Sequence, residues 1–162
     1  MPCVYDRRMT LAAFKPLVWM FLAAVVLTTA LGSVIQTQIN LAAVQAMGAP
    51  LPWGMRLLTT GQDLVGFTPA FGGIVSGAFL AALPAAVWLA PRVRPLPPLG
   101  VYALAAAVGL ALAFQVADAF APMPTLIAAT RSASGTACML LSAVAGGLVF
   151  GALHMRWARG AA

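Results

Sequence analysis

The sequence predicts an all-α membrane protein, a bundle of four antiparallel transmembrane helices with both termini in the cytoplasm. Four stretches carry no charged residue, 16–55, 64–91, 95–117 and 132–155, and each is at least 23 residues long. A hydrocarbon core about 30 Å thick needs roughly 20 apolar residues of helix, so all four stretches qualify as spans. Hydrophobic residues make up 62% of the 162 residues and charged residues only 7%. That composition leaves too little polar surface to coat a soluble globule.

The distribution of basic residues predicts which way the bundle faces. Seven of the nine fall on one side of the predicted spans: Arg7, Arg8, Lys15, Arg92, Arg94, Arg156 and Arg159. The positive-inside rule marks that side as cytoplasmic. On the opposite side Arg56 is balanced by Asp63, and Arg131 by Asp118. The net charge of +6 therefore indicates a multi-pass protein of a bacterial-type inner (plasma) membrane, with no nucleic acid as a partner.

We predict one integral membrane domain, 1–162. Its spans cover residues 17–36, 69–90, 99–117 and 134–153, and its outer loops cover 37–68 and 118–133. The helical pattern of the first span continues through three glutamines to Met47, where Gly48 offers a stop with Pro50 just beyond. Arg92 lies in a proline-rich segment, 91–98, which predicts a tight hairpin between the second and third spans.

Two sequence signals predict helix starts before the second span. Thr60-Gly61-Gln62-Asp63 has the spacing of a capping box. Thr68 followed by Pro69 is typical of a capping hydroxyl with proline at the first helical position. We therefore expect a short interfacial helix or loop, and then the second span.

The first span has some features of a cleavable signal peptide, with basic residues before it and small residues at Ala30 and Gly32. The apolar run continues through Val34 and Ile35, which favours an uncleaved signal-anchor helix. Loss of residues 1–32 is the alternative, and it would leave three spans.

Small residues recur at a spacing of four on three of the predicted spans. The glycines among them are Gly73, Gly77, Gly109, Gly147 and Gly151. Helices in lipid associate through close backbone approach, so these stripes predict packing seams within the bundle or with a partner. The alternative is that a chain rich in Ala and Gly forms such stripes by chance. We expect leucine at Gly77 or Gly147 to disturb packing, and leucine at Ala86, a position expected to face lipid, to be tolerated.

The sequence lacks the residue sets of known catalytic and metal sites. Its one histidine, His154, is expected to face lipid headgroups at the end of the fourth span, because one histidine alone builds neither a paired haem site nor the usual zinc sets. Cys3 and Cys138 belong to different compartments, and Cys138 is expected to be a small buried hydrophobe. No nucleophile elbow or phosphate-binding loop occurs. We therefore predict no enzyme activity, no cofactor and no metal.

The charges on the outer side are the most informative polar feature. Asp118 and Arg131 each lie at the helix end where the macrodipole opposes their charge, so we predict that they pair between the third and fourth spans. Arg56 and Asp63 are predicted to be polar residues of the first outer loop. The alternative for all four is solvated interfacial charge of little energetic value. The segments 32–40 and 56–67, rich in polar residues, together look like a compact motif.

These observations predict a non-catalytic integral membrane protein, an accessory or assembly subunit that packs against a larger membrane complex. Its expected partners are the lipid bilayer and other membrane subunits or a second copy. The alternative is a small homo-oligomeric transporter or channel, because four helices with few intramembrane charges need copies to enclose a pore.

Overall fold

The chain is helical along nearly all of its described length. The computed structural model describes residues 7–93, 95–120 and 127–160, with side chains described from residue 14 onward. Its elements in chain order are α1 (Arg7–Ala46), α2 (Trp53–Gly66), α3 (Thr68–Leu89), α4 (Pro98–Phe120), a 3₁₀ helix (Ala128–Arg131) and α5 (Ala133–Gly160). Four helical segments are long and apolar enough to cross a membrane. They are α3, α4, α5 and the part of α1 from Phe14 to Ala46. The predictions of an all-α chain and of four candidate spans are confirmed.

The first outer segment, 37–68, is mostly helix. α1 continues as one helix to Ala46, and the stop predicted at Gly48 lies two residues later. Gly48 has φ +91°, a left-handed conformation that glycine adopts without a steric penalty. Its N–H donates to the Gln45 carbonyl at 3.0 Å. The helix therefore ends with a glycine that satisfies one of the last free carbonyls.

Of the two helix starts predicted before the second span, the one at Thr68-Pro69 agrees with the structure to within one residue, and the one at Thr60 is wrong. α2 begins at Trp53, after Pro52 in an extended conformation, so Thr60 lies within α2 and its hydroxyl donates to the Arg56 carbonyl at 2.7 Å. α3 begins at Thr68, and its flanking residue Phe67 is itself helical. Phe67 donates its N–H back to the Asp63 carbonyl at 2.8 Å. Since α2 and α3 are nearly continuous, Thr68 has no extended cap position to occupy.

The last two spans are longer than predicted. α4 runs to Phe120 and therefore includes Asp118, and α5 runs to Gly160 and includes His154. α5 starts after Ser132, whose backbone is extended and whose hydroxyl accepts the Gly135 N–H at 3.1 Å. That bond is the side-chain cap which serine favours at this position.

The core lies where α5 packs against α1 and α4, and where α4 packs against α3. Its largest fully buried apolar side chains are Phe71, Phe79, Leu83, Leu110 and Met139. Ala86 is also fully buried, so the expectation that it faces lipid is wrong. Apolar residues cover every face of α3, and hydropathy alone does not indicate which face of such a helix turns inward.

Candidate functional site

α1 and α2 meet through a group of six polar side chains, which we call the polar cluster. Its members are Thr37, Gln38 and Gln45 of α1 and Arg56, Thr60 and Asp63 of α2. The two segments that looked like a motif in the sequence are thus brought together. On α2 the three residues are spaced i, i+4 and i+7, which places them on one face of the helix.

Hydrogen bonds connect the polar cluster across the two helices. Thr37 Oγ1 lies 2.8 Å from Asp63 Oδ2. Arg56 donates to Gln38 Oε1 at 3.3 Å and to Gln45 Oε1 at 2.6 Å, and Gln38 donates to the Thr60 hydroxyl at 3.1 Å. Both outer-loop charges predicted from the sequence, Arg56 and Asp63, are therefore bound to side chains of α1. The cluster holds α2 against α1.

Thr37 has one hydroxyl hydrogen and two acceptors within reach, the Asp63 carboxylate and the Ser33 carbonyl at 2.9 Å. A hydrogen bond to a charged group contributes more than a neutral one. We expect Thr37→Val and Asp63→Ala each to lower the melting temperature in detergent, and the double-mutant cycle to give a coupling of about 1 kcal/mol. Pairing Asp63→Ala with Thr136→Val, whose hydroxyl bonds only near its own helix start, should be additive. Additivity in the first cycle would contradict the contact.

α1 also buries a row of hydroxyl and amide side chains inside the bundle. The row precedes the polar cluster along α1 and ends in it at Thr37: Thr28, Thr29, Ser33, Gln36 and Thr37. Gln36 accepts the Ala129 N–H at 3.0 Å and so ties the 3₁₀ helix to α1. Thr28 donates to the Ser142 carbonyl at 3.3 Å. The hydroxyls of Thr29 and Ser33 are buried without a hydrogen-bond partner in the described part of the chain. Gln36, the last residue of the predicted first span, is therefore buried against another element of the bundle.

The glycines predicted as packing positions divide into two groups. Three lie against a neighbouring helix: a Cβ added at Gly109, Gly147 or Gly151 would lie 2.5 to 2.7 Å from atoms of Ala82 or Tyr102. The other two, Gly73 and Gly77, are exposed, and a Cβ added there would meet no described residue within 4 Å. The α3 end of the predicted seam is thus not a contact between described helices of this chain.

Sequence reasoning missed two of the closest glycine contacts. A Cβ at Gly32 would collide with the Phe71 ring, and a Cβ at Gly146 would collide with the Thr28 hydroxyl. Gly32 belongs to no glycine–alanine stripe at a spacing of four, because Thr28 and Gln36 occupy the neighbouring positions. Gly146 lies beside the Gly147 stripe but is not part of it. The signal that could have found Gly146 is the Gly146-Gly147 pair itself, which removes side chains from two adjacent faces of α5.

The exposed side of α3 forms one wall of an open apolar groove of about 800 Å³ between α3 and α4. Small residues at a spacing of four line the α3 wall: Gly73, Gly77, Ala81 and Ala85. Leu104, Val108 and Leu112 of α4 line the opposite wall. From Gly73 to Leu89 the groove follows α3 for 16 residues, or roughly 24 Å at the rise of an α-helix. That length corresponds to most of the thickness of a hydrocarbon core.

The remaining predicted residues take different positions. Asp118 lies in the last turns of α4, half-buried, and Arg131 ends the 3₁₀ helix. Since residues 121–126 between them lie outside the described residues, the pairing of these two charges stays a prediction. Cys138 is exposed, so the expectation that it is buried is wrong. Cys3 lies outside the described residues.

His154 belongs to an aromatic group and does not simply face the headgroups, as had been expected. The Tyr102 hydroxyl lies 3.0 Å from His154 Nδ1, and the imidazole stacks on Phe150, with ring centroids 5.9 Å apart and planes 7° apart. The Trp157 ring also packs against the imidazole, with ring centroids 6.1 Å apart. The i, i+4 spacing of Phe150 and His154 was the available signal, but Tyr102 comes from another helix.

Within the described ranges no group of three His, Cys, Asp or Glu side chains is arranged to hold a metal ion. Comparisons with known proteins found no match to this chain among protein-family models, curated proteins or solved structures. Function is therefore inferred from the open groove, the polar cluster and the buried row of hydroxyls.

Proposed function

We propose that this chain is a non-catalytic subunit of the bacterial-type inner membrane, an accessory or assembly factor that holds a transmembrane helix of a larger complex in the α3–α4 groove. The observation that supports this most directly is the exposure of all four small residues on the outer face of α3, Gly73, Gly77, Ala81 and Ala85. The opposite face of the same helix is already used in the core of the bundle.

A helix is the occupant that this surface suits best. In lipid, helices gain little from apolar contact as such, and they associate where small residues let two backbones approach closely. Glycine and alanine offer little side-chain area to acyl chains but allow close approach along four successive turns. The large residues on the α4 wall would then pack against the side chains of the incoming helix.

The orientation we propose has both termini in the cytoplasm and the spans antiparallel. The positive-inside distribution supports it. Contacts between α3 and α4 support the antiparallel arrangement of these two helices. Phe71, near the start of α3, packs against Phe114, near the end of α4. Ala82, farther along α3, lies against Gly109, which comes earlier on α4.

Reporter fusions test this orientation. Fusions after residues 50, 94, 125 and 162 are expected to read outside, inside, outside and inside, because the basic residues hold the termini and the central hairpin in the cytoplasm. An inside reading at 125 would contradict the four-span topology. Intact mass of the purified protein checks separately that residues 1–32 are retained.

Native mass spectrometry after mild detergent extraction tests the subunit function. A defined complex with a different membrane protein is the expected result. A monomer at every detergent concentration, with no second protein retained, would contradict it.

The second candidate is a homo-oligomeric transporter or channel, and the buried hydroxyls of α1 are the observation that favours it. Polar side chains within spans commonly mark pathways for ions or polar solutes, and Thr29 and Ser33 have hydroxyls without a hydrogen-bond partner among the described residues. This candidate predicts an even-numbered homo-oligomer in the same mass spectra. It also predicts solute flux in vesicles that Ser33→Val abolishes.

A further inference from the structure

α2 has its polar face turned inward and its apolar face turned outward. None of its residues is buried, and both of its charged side chains, Arg56 and Asp63, bond to α1 in the polar cluster together with Thr60. Its other polar side chains are Thr59, which is half-buried, and Gln62, which is exposed. The side away from α1 carries large apolar residues, with Trp53, Leu57 and Val65 between 72% and 79% exposed. A surface helix of a water-soluble protein has the reverse arrangement.

The position of α2 ties it to the membrane boundary. Only Phe67 separates the end of α2 from α3, which is itself a candidate span. On its other side α2 packs along the outer part of α1, whose candidate span of 33 residues is longer than the roughly 20 that a bilayer requires. α2 is therefore held between two candidate spans, with its apolar face exposed.

We propose that α2 is an interfacial helix whose apolar face inserts into the acyl chains of the adjoining leaflet. The occupant of this face is bilayer lipid. Trp53 and Arg56 support this assignment, because the guanidinium lies 5.8 Å from the centroid of the indole ring and both groups are favoured at the level of the headgroups. A shallow groove of about 540 Å³ along Leu57, Gly61 and Val65 has one polar side chain in its lining, Gln62, and its apolar part can take an acyl chain.

This placement also explains the polar cluster. A helix that lies in the interface must keep its charged groups away from acyl chains, and polar groups at membrane depth are normally paired on the protein side. The Arg56 guanidinium is paired in this way, because it donates hydrogen bonds to Gln38 and Gln45 of α1. The inference does not depend on the proposed subunit function, because it requires no protein partner.

Spin labels on the purified full chain in phosphatidylcholine vesicles test the proposal. Labels are placed one at a time at Leu57→Cys and Val65→Cys in a background of Cys3→Ser and Cys138→Ser. Leu141→Cys, at an exposed apolar position in the span of α5, is the lipid control, and Gly160→Cys, at the end of α5, is the water control. The ratio of oxygen to nickel-chelate collisions at positions 57 and 65 is expected to lie above that of the water control and to approach that of the lipid control, because the apolar face enters the acyl boundary.

A ratio equal to that of the water control would overturn the proposal. So would low collision rates with both reagents, because the face would then be covered by protein. If a cysteine variant fails to fold, a variant that keeps only Trp53 among the four tryptophans tests the same membrane insertion. Its fluorescence should be quenched by lipids brominated near the headgroup end of the acyl chain, and unquenched emission would reject membrane insertion.

Discussion

Replacing Gly147 with leucine is expected to destabilise the bundle severely. A Cβ at this position would lie 2.5 Å from the Tyr102 carbonyl oxygen and 2.8 Å from Ala106 Cβ. Both obstacles belong to the backbone or first carbon of α4, so they cannot rotate away, and leucine adds three more carbons. Overpacking of a well-packed site costs about 1–3 kcal/mol and sometimes more. Thermal unfolding in mild detergent should therefore show a clear fall in melting temperature.

Two further variants identify the cause of that fall. Ala137→Leu places the same side chain at an exposed position of α5 and should leave the melting temperature nearly unchanged. Gly147→Ala adds only the Cβ and should lie between the two. If Ala137→Leu were as damaging as Gly147→Leu, the effect would come from leucine on α5 in general and not from the contact with α4.

Gly77→Leu is expected to have the opposite effect, loss of association with little loss of stability. No atom in the described part of the chain lies within 4 Å of a Cβ at Gly77, so there is room for leucine among the described residues. In the α3–α4 groove the new side chain would separate the backbone of α3 from that of an incoming helix. Native mass spectrometry should show the complex lost, while the melting temperature of the released chain stays near that of the parent.

The pair of glycines makes this result decisive. Gly77 and Gly147 belong to similar stripes of small residues, but only Gly147 contacts another helix of the chain. A fall in stability for Gly77→Leu as large as that for Gly147→Leu would contradict an open groove. Full retention of the complex by Gly77→Leu would mean that the partner binds elsewhere, and the proposed role of the groove would be rejected.

The boundaries of the helices illustrate how far local sequence signals reach. The end of α1 near Gly48 was predictable, because glycine in a left-handed conformation is a local device. The capping box at Thr60 was misleading, since Pro52 starts α2 earlier and Thr60 then lies within the helix. The helical conformation of the whole segment from Trp53 to Gly66 therefore overrides the capping motif within it.

The polar cluster was predictable only in part. Its glutamines, Arg56 and Asp63 were visible as unusual residues in an apolar chain, and the segments that carry them were recognised as a unit. Which side chain meets which depends on how α2 folds back along α1. The bond between Thr37 and Asp63 joins residues 26 positions apart, and no local periodicity encodes such a pairing.

The sequence by itself determined that the chain is all-helical and has four candidate spans. Bilayer thickness sets the length of an apolar helix, and each long uncharged stretch meets that requirement independently. Only the tertiary structure decided which face of each helix turns inward. It buried Ala86 and Gly147 and left Gly77 open, although all three are small residues in apolar surroundings. The reason is physical: within a span apolar on every side, the inward face is chosen by contacts with other helices, distant in sequence.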